Sequence, residues 1–198
     1  MAGSDADTIQ AVLDGAVDRY AELVDKYQGA AIRLAFSFLG NYEDARDVSQ
    51  DAFVSAYRSL GRFRRDSRFS TWLYRIIINA CKDAYRRRAR QPVAVAAVGD
   101  PAEECNAPGT LFVDVADPGA DPSEQVANQE LSRRLSAAIG RLPMKQRTAF
   151  LLHHVHGLPL EEAAAVMGCR VGTIKSHIFR ATASLRVQLA PWLGKERR

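Results

Sequence analysis

Between residues 91 and 122 the chain changes character so sharply that one continuous packed domain is ruled out. Pro92, Pro101, Pro108, Pro118 and Pro122 punctuate this stretch, and residues 91–130 carry eight Asp and Glu without a single Lys or Arg. Each proline removes a backbone donor and cannot continue a helix, while unopposed like charges repel and extend a chain. The segment therefore reads as a flexible acidic linker, with at most a short ordered piece near Leu111–Val115. It divides the 198 residues into a first domain over 1–90, a linker over 91–122 and a second domain over 123–198.

Charge is distributed in blocks that follow this division. Residues 1–61 carry five basic and ten acidic side chains, whereas residues 62–90 carry ten basic and two acidic ones. Residues 131–198 hold twelve basic against three acidic. Two positive blocks separated by a negative one fit two contacts with a polyanion. They equally fit two solvated helical surfaces, and charge alone does not separate these readings. Cys81, Cys105 and Cys169 form no CxxC pair, which suits a reducing compartment better than a disulfide-stapled secreted domain. The N-terminus, MAGSDADTIQ, is acidic and is followed by no long apolar run, so neither a signal peptide nor direct membrane insertion is expected. A soluble cytoplasmic protein is the expectation.

Apolar periodicity predicts an all-α protein. Leu13, Val17, Tyr20 and Val24 recur at spacings of three and four, as do Ala31, Leu34, Ala35 and Phe38. Gly40-Asn41 breaks the chain, and Asn41 followed by Asp44 resembles a capping box for a helix carrying Ala45, Val48, Ala52, Phe53, Ala56 and Tyr57 inward. Gly61 stops it, and Ser70 is the expected N-cap of a helix over Thr71 to about Arg88. Beyond the linker, Asp121 or Ser123 restarts helix, with Leu131, Leu135, Ala138, Ile139 and Leu142 as its apolar stripe. Further elements are expected over residues 144–155, Leu160–Met167 and Val171 to about Leu189, with turns at His156–Pro159 and Gly168-Cys169.

The strongest chemical signal is at the C-terminal end. LEEAAAVM, a tight turn at Gly168, and then VGTIKSHIFRATASL are two helices in helix-turn-helix spacing. Ala163, Ala164 and Val166 can pack on Ile174, Ile178 and Leu185. The opposite face then presents Arg170, Thr173, Lys175, Ser176, His177 and Arg180, the residue types that reach base edges and phosphates in a major groove. A plain helical hairpin with a polar face is the bland alternative.

The second signal is the helix after Ser70. Leu73, Ile76, Ile77, Ala80, Cys81 and Ala84 form its inner stripe, while Trp72, Arg75, Asn79, Lys82 and Arg86 follow the same spacing along another side. Before it stands RFRRDSRF, in which Phe63 and Phe69 alternate with Arg62, Arg64, Arg65 and Arg68, and Ser67 adds a hydroxyl. Aromatic faces in a cationic setting suit unpaired DNA bases, each stacked base being worth about 1–3 kcal/mol. The competing reading makes Trp72 and Phe69 core anchors and the arginines solvated.

Together these segments resemble the sigma-70 family, in its extracytoplasmic-function (ECF) branch and close to sigma-E. DARDVSQDAFVSAY resembles region 2.2, FRRDSRFSTWLYRIIINACKDAYRRR resembles regions 2.3 and 2.4, and LPMKQRTAFLLHHVHGLPLEEAAAVMGCRVGTIKSHIFRATASLR resembles region 4. The resemblance implies a sigma2-like bundle and a sigma4-like helix-turn-helix domain. Its function would be to bind core RNA polymerase through the β and β′ subunits, recognise promoter DNA and initiate transcription, for a stress or envelope-response regulon. Asp47, Val48, Gln50, Asp51 and Phe53 would then contact core polymerase. Phe63, Arg64, Arg65, Ser67, Trp72, Arg75, Asn79, Lys82 and Arg86 would handle the minus-ten element, Phe63 and Asn79 helping to hold a flipped base. Arg170, Thr173, Lys175, Ser176, His177 and Arg180 would meet the minus-thirty-five element. An anti-sigma factor is a further implied partner. The family usually carries Glu where Asp51 stands, a branched apolar residue at Ser49 and Arg at His177.

No catalytic motif, phosphate-binding glycine loop or cofactor site is recognisable, and no enzyme activity is expected. His153, His154 and His156 lack the partner ligands and the spacing of a metal site, since successive helical positions point apart. Cys169 reads as a small structural residue in a turn rather than a redox sensor. The rival functions are an autonomous helix-turn-helix repressor or activator, for which residues 123–198 would suffice, and an interaction module antagonising a sigma factor. The basic aromatic loop argues against the first, and the cations of the last helix against the second.

Overall fold

The computed structural model describes residues 4–90 and 122–193. Eight α-helices occur among them and no strand, so the all-α expectation holds for the described residues. They belong to two compact units. The linker up to residue 121, with the segment near Leu111–Val115, lies outside the described residues.

The first unit contains α1 (Asp5–Leu13), α2 (Tyr20–Leu39), α3 (Tyr42–Ser59) and α4 (Phe69–Arg90). Helices α2, α3 and α4 pack on one another, and α1 lies against α2 and the 3-10 turn Leu60–Arg62. Leu23, Leu34, Leu73, Ile77 and Cys81 are almost fully buried at the centre. Gly40 takes φ 70° beyond the last turn of α2, where a side chain would clash with its own carbonyl, and its N–H returns to Phe36 O at 2.8 Å. Asn41 then caps α3, its Oδ1 accepting from Asp44 N at 3.1 Å, as its sequence position predicts. Tyr20 ties α2 to α3 by donating to Phe53 O at 2.8 Å. Burial pushes this phenol up to about 12, so it remains a donor at neutral pH.

Several expectations need correction here. Leu13 and Val17 look like one helical stripe with Tyr20 and Val24, but the chain breaks after α1. Gly15 sits at φ 108° and a separate 3-10 turn spans Val17–Arg19. Leu13 and Val17 consequently stay 46% and 51% exposed. Tyr57 is 39% exposed, its ring edge-on to Tyr20 at 5.1 Å. Ser70 is no N-cap, because α4 already begins at Phe69, with Trp72 N bonded to Arg68 O at 3.2 Å. Burial of Phe69 in the core draws the helix start back past the serine.

The second unit contains α5 (Pro122–Gly140), α6 (Met144–Phe150), α7 (Leu160–Met167) and α8 (Val171–Leu193). Helix α8 is the hub, packing on α5, α6 and α7. Helix α5 opens on the last proline expected in the linker, a residue whose fixed φ suits a first helical turn. Ala138, Ile139 and Leu142 form the inward stripe as expected, but Leu131 is 49% exposed. The element expected over 144–155 is interrupted: after Phe150 a π turn spans Leu151–Val155. The His156 N–H donates to Leu151 O at 2.9 Å across this wider turn, and His153 Nδ1–H donates to Leu158 O at 2.9 Å, closing the turn before α7. The π turn brings the rings of His153 and His154 to 4.9 Å, so neighbouring histidines do touch here. No metal-holding group of His, Cys, Asp and Glu occurs among the described residues.

Candidate nucleic-acid interface

In the first unit the basic loop and the outer face of α4 form one surface. Phe69 is 3% exposed and anchors the loop to the core, the role the bland reading assigns it. Around it Phe63 lies 6.0 Å away, Trp72 5.7 Å and Tyr27 5.5 Å, while Phe63 and Trp72 are 5.1 Å apart. Rings at such separations in tilted or edge-on arrangements attract through their quadrupoles. Phe63 and Trp72 are only half-buried, so the cluster is closed beneath and open above.

From Trp72 the stripe continues along α4 through Arg75, Asn79, Lys82 and Arg86. Arg75, Asn79 and Arg86 are exposed, while Lys82 is half-buried. Arg86 is 3.4 Å from Asp83, a solvent-exposed pair worth little. Asn79 is about two turns, or roughly 10 Å, along the axis from Trp72. Phe63 packs at the Trp72 end, 5.1 Å from that ring. Arg64 and Arg65 are exposed and Ser67 is half-buried on the loop. Arg65 is the one non-glycine residue with positive φ among the described residues, at 61°. Its guanidinium donates to Gln10 Oε1 of α1 at 2.6 Å. A cleft of about 370 Å³ opens between α1 and the loop, lined by Asp5, Ile9, Tyr27, Phe63, Arg65 and Phe69 among others. The contact of Gln10 with the loop escapes sequence inspection, because Arg65 is 55 positions away.

On α3, Asp47, Gln50 and Asp51 are exposed on one side and Val54 extends it. Val48 and Phe53 do not belong to this face. Both are 7% exposed and point into the core, because the helical step puts them on the stripe of Ala45, Ala52 and Ala56. The buried Ser49 satisfies its hydroxyl by donating to Ala45 O at 2.7 Å, which lets a polar side chain stand at an apolar position.

In the second unit Gly168 takes φ 64° after α7, and Cys169 N bonds to Ala164 O at 3.1 Å, turning the chain into α8. Ala163, Ala164 and Val166 pack with Ile174, Ala181 and Leu185 in the interior, and Ile178 lies at its edge. Arg170, Thr173, Lys175, Ser176 and Arg180 are exposed on the remaining face. Ser176 Oγ donates to Gly172 O at 3.0 Å. His177 departs from its expected place. It is half-buried, and its Nδ1 is buried without a hydrogen-bond partner, so the ring leans toward the interior. Phe179, 76% exposed, was not singled out from sequence. Its position off the Ile174–Ile178–Ala181–Leu185 stripe is the signal that identifies it.

Comparison with known proteins covers both units. Residues 23–91 match sigma-70 region 2 and residues 132–185 match sigma-70 region 4. The RNA polymerase sigma-H factor of Pseudomonas aeruginosa is 36% identical over 96% of this chain and 95% of its own. The ECF RNA polymerase sigma factor SigW of Bacillus subtilis is 34% identical over 91% and 94% respectively. Among solved structures, CnrH in complex with the cytosolic domain of CnrY superposes with a TM-score of 0.66 at 27% identity, covering 96% of this chain and 99% of that one. The sigma factor RpoE of Bartonella quintana, in complex with the anti-sigma factor NepR, shares the fold with a TM-score of 0.60 at 24% identity, covering 86% and 96%. The two regions, in the order and spacing of full-length relatives, establish that the chain belongs to the sigma-70 family of RNA polymerase sigma factors, in its ECF group.

Proposed function

We propose that the chain joins bacterial core RNA polymerase in the cytoplasm and directs it to promoters, with residues 1–90 opening the minus-ten element and residues 123–198 reading the minus-thirty-five element. The observation that carries this reading is the outer stripe of α4. An aromatic cluster open on one side stands at its head, and exposed Arg75, Asn79 and Arg86 follow it. Unpaired bases need π-faces to stack on and cations to hold their phosphates, and the stripe offers both. Asn79, with a donor and an acceptor on one amide, is suited to reading a base edge, and Phe63 and Trp72 to supporting an unstacked neighbour. Arg64, Arg65, Ser67 and Lys82 would flank the same strand.

On α8, Thr173, Lys175, Ser176 and Arg180 with Arg170 would contact the upstream duplex, His177 contributing at most from its edge. The exposed acids Asp47 and Asp51 with Gln50 would engage core polymerase, without Val48 and Phe53. An anti-sigma factor is proposed as a regulating partner; a sigma factor that shares this fold has been solved in complex with one. The chain acts as an initiation subunit and performs no catalysis itself.

The test is run-off transcription with purified core polymerase on a library of promoter fragments. Discrete transcripts requiring both chain and core are expected. Site-specific binding by the chain alone, with no transcript from any fragment in the presence of core, refutes the reading in favour of an autonomous regulator.

A further inference from the structure

The loop between α3 and α4 is expected to touch promoter DNA, yet its sequence does not by itself hold a fixed shape. Arg65 occupies the left-handed region, where a Cβ crowds the backbone and a contact from outside the loop helps to hold a non-glycine residue. That contact comes from α1. Arg65 Nη2 donates to Gln10 Oε1 at 2.6 Å, and the other end of the same amide is fixed because Gln10 Nε2 donates to Asp14 Oδ1 at 2.8 Å. Asp14 thereby sets which amide atom faces the loop.

Helix α1 is itself held firmly. Its N-terminus is closed by a reciprocal capping box between Ser4 and Asp7. Asp5 accepts from Lys26 Nζ at 2.6 Å and from the Tyr27 hydroxyl, and Thr8 Oγ1 donates to Glu22 Oε2 at 3.1 Å. Ile9 and Val12 are buried beneath. Tyr27 also touches Phe69, the aromatic anchor of the loop. A rigid helix thus presents one oriented carbonyl to the one strained residue of a loop that borders the Phe63–Trp72 cluster.

We propose that α1 is a positioning element for promoter opening, with Gln10, oriented by Asp14, holding Arg65 and hence the Phe63–Ser67 loop in its DNA-receiving shape. Gln10 touches no DNA in this scheme and acts through Arg65. The inference rests on the proposed minus-ten role of the loop.

The experiment uses holoenzyme made from the full chain and core polymerase, on a promoter fragment taken from the library above. It carries 2-aminopurine in the minus-ten non-template strand, and fluorescence reports unstacking. Gln10→Leu keeps the side-chain size but removes the acceptor. It should slow opening by about three- to tenfold, the usual range for losing one such hydrogen bond, with core binding and thermal midpoint unchanged. The pair Gln10→Glu with Asp14→Asn reverses the donor and acceptor between these residues but restores an acceptor for Arg65, and should recover the wild-type rate. Wild-type opening by Gln10→Leu overturns the proposal, as does a slowed Gln10→Leu that the pair fails to restore. Should wild-type holoenzyme transcribe without any fluorescence rise, the minus-ten reading of the loop fails, and the positioning role fails with it.

Discussion

Two substitutions two residues apart on α4 separate the helix's structural side from its working side. Ile77 is 0% exposed, and truncating such a side chain to Ala removes transfer energy and leaves a cavity, at about 2–5 kcal/mol. For a unit of this size that lowers the thermal midpoint by upwards of about 8 °C. Asn79 is exposed, and its amide has no packed surroundings to lose. Asn79→Ala instead gains helix propensity, by roughly 0.5 kcal/mol, so the midpoint should hold or rise slightly. Its cost is expected in recognition, at about 1–3 kcal/mol, or roughly 5- to 150-fold in promoter-dependent transcription. Thermal unfolding followed by circular dichroism, together with run-off transcription at subsaturating holoenzyme, measures both quantities. Asn79→Ala with wild-type transcription, or with a midpoint lowered as far as Ile77→Ala, refutes the assignment of the two sides.

Three further outcomes follow from the same geometry. Asp51→Arg reverses an exposed charge on α3 and should weaken capture by core polymerase without altering the unfolding curve; an unchanged pull-down with core contradicts the α3 assignment. Gly168→Ala forces a Cβ into φ 64°, and no neighbouring atom lies within 4 Å of it, so the cost is backbone strain alone, about 1–2 kcal/mol by urea unfolding. Burial alone would raise Asp5, but hydrogen bonds from Lys26 and Tyr27 and the Lys26 charge hold it below its ordinary 3.8. A depressed carboxyl stabilises fully above its unfolded value and loses that contribution as pH falls through the folded one. Hydrogen-exchange protection in α1, taken relative to the intrinsic rate at each pH, should therefore fall below about pH 4, and Asp5→Asn should abolish that step.

What the sequence revealed, and what it concealed, divides along the distance over which contacts act. The Asn41 cap, the Gly40 and Gly168 stops and the Ile174–Leu185 stripe were legible because each depends on neighbours within a turn or two. Val48 and Phe53 were misplaced for a different reason. Periodicity placed both inward, as found, whereas the family segment grouped them with Asp47 and Asp51 at the polymerase face, and the helical step decides for the first reading. Leu13 and Val17 show that spacing by threes and fours also arises by accident across a break, which Gly15 imposes through its positive φ. The π turn at Leu151–Val155 left no trace in periodicity, since it depends on His153 reaching Leu158 O. The Gln10–Arg65 contact was invisible because tertiary packing alone brings α1 to the loop.

The central claim is that two helical heads grip one promoter at two separate places when core polymerase carries them. Footprinting of holoenzyme on a single promoter tests it most directly, with Lys175→Ala/Arg180→Ala and Arg75→Ala/Lys82→Ala compared side by side. Two protected segments are predicted, the first pair of substitutions eroding only the upstream one and the second pair only the downstream one. A single protected segment, or both pairs eroding the same bases, would contradict it.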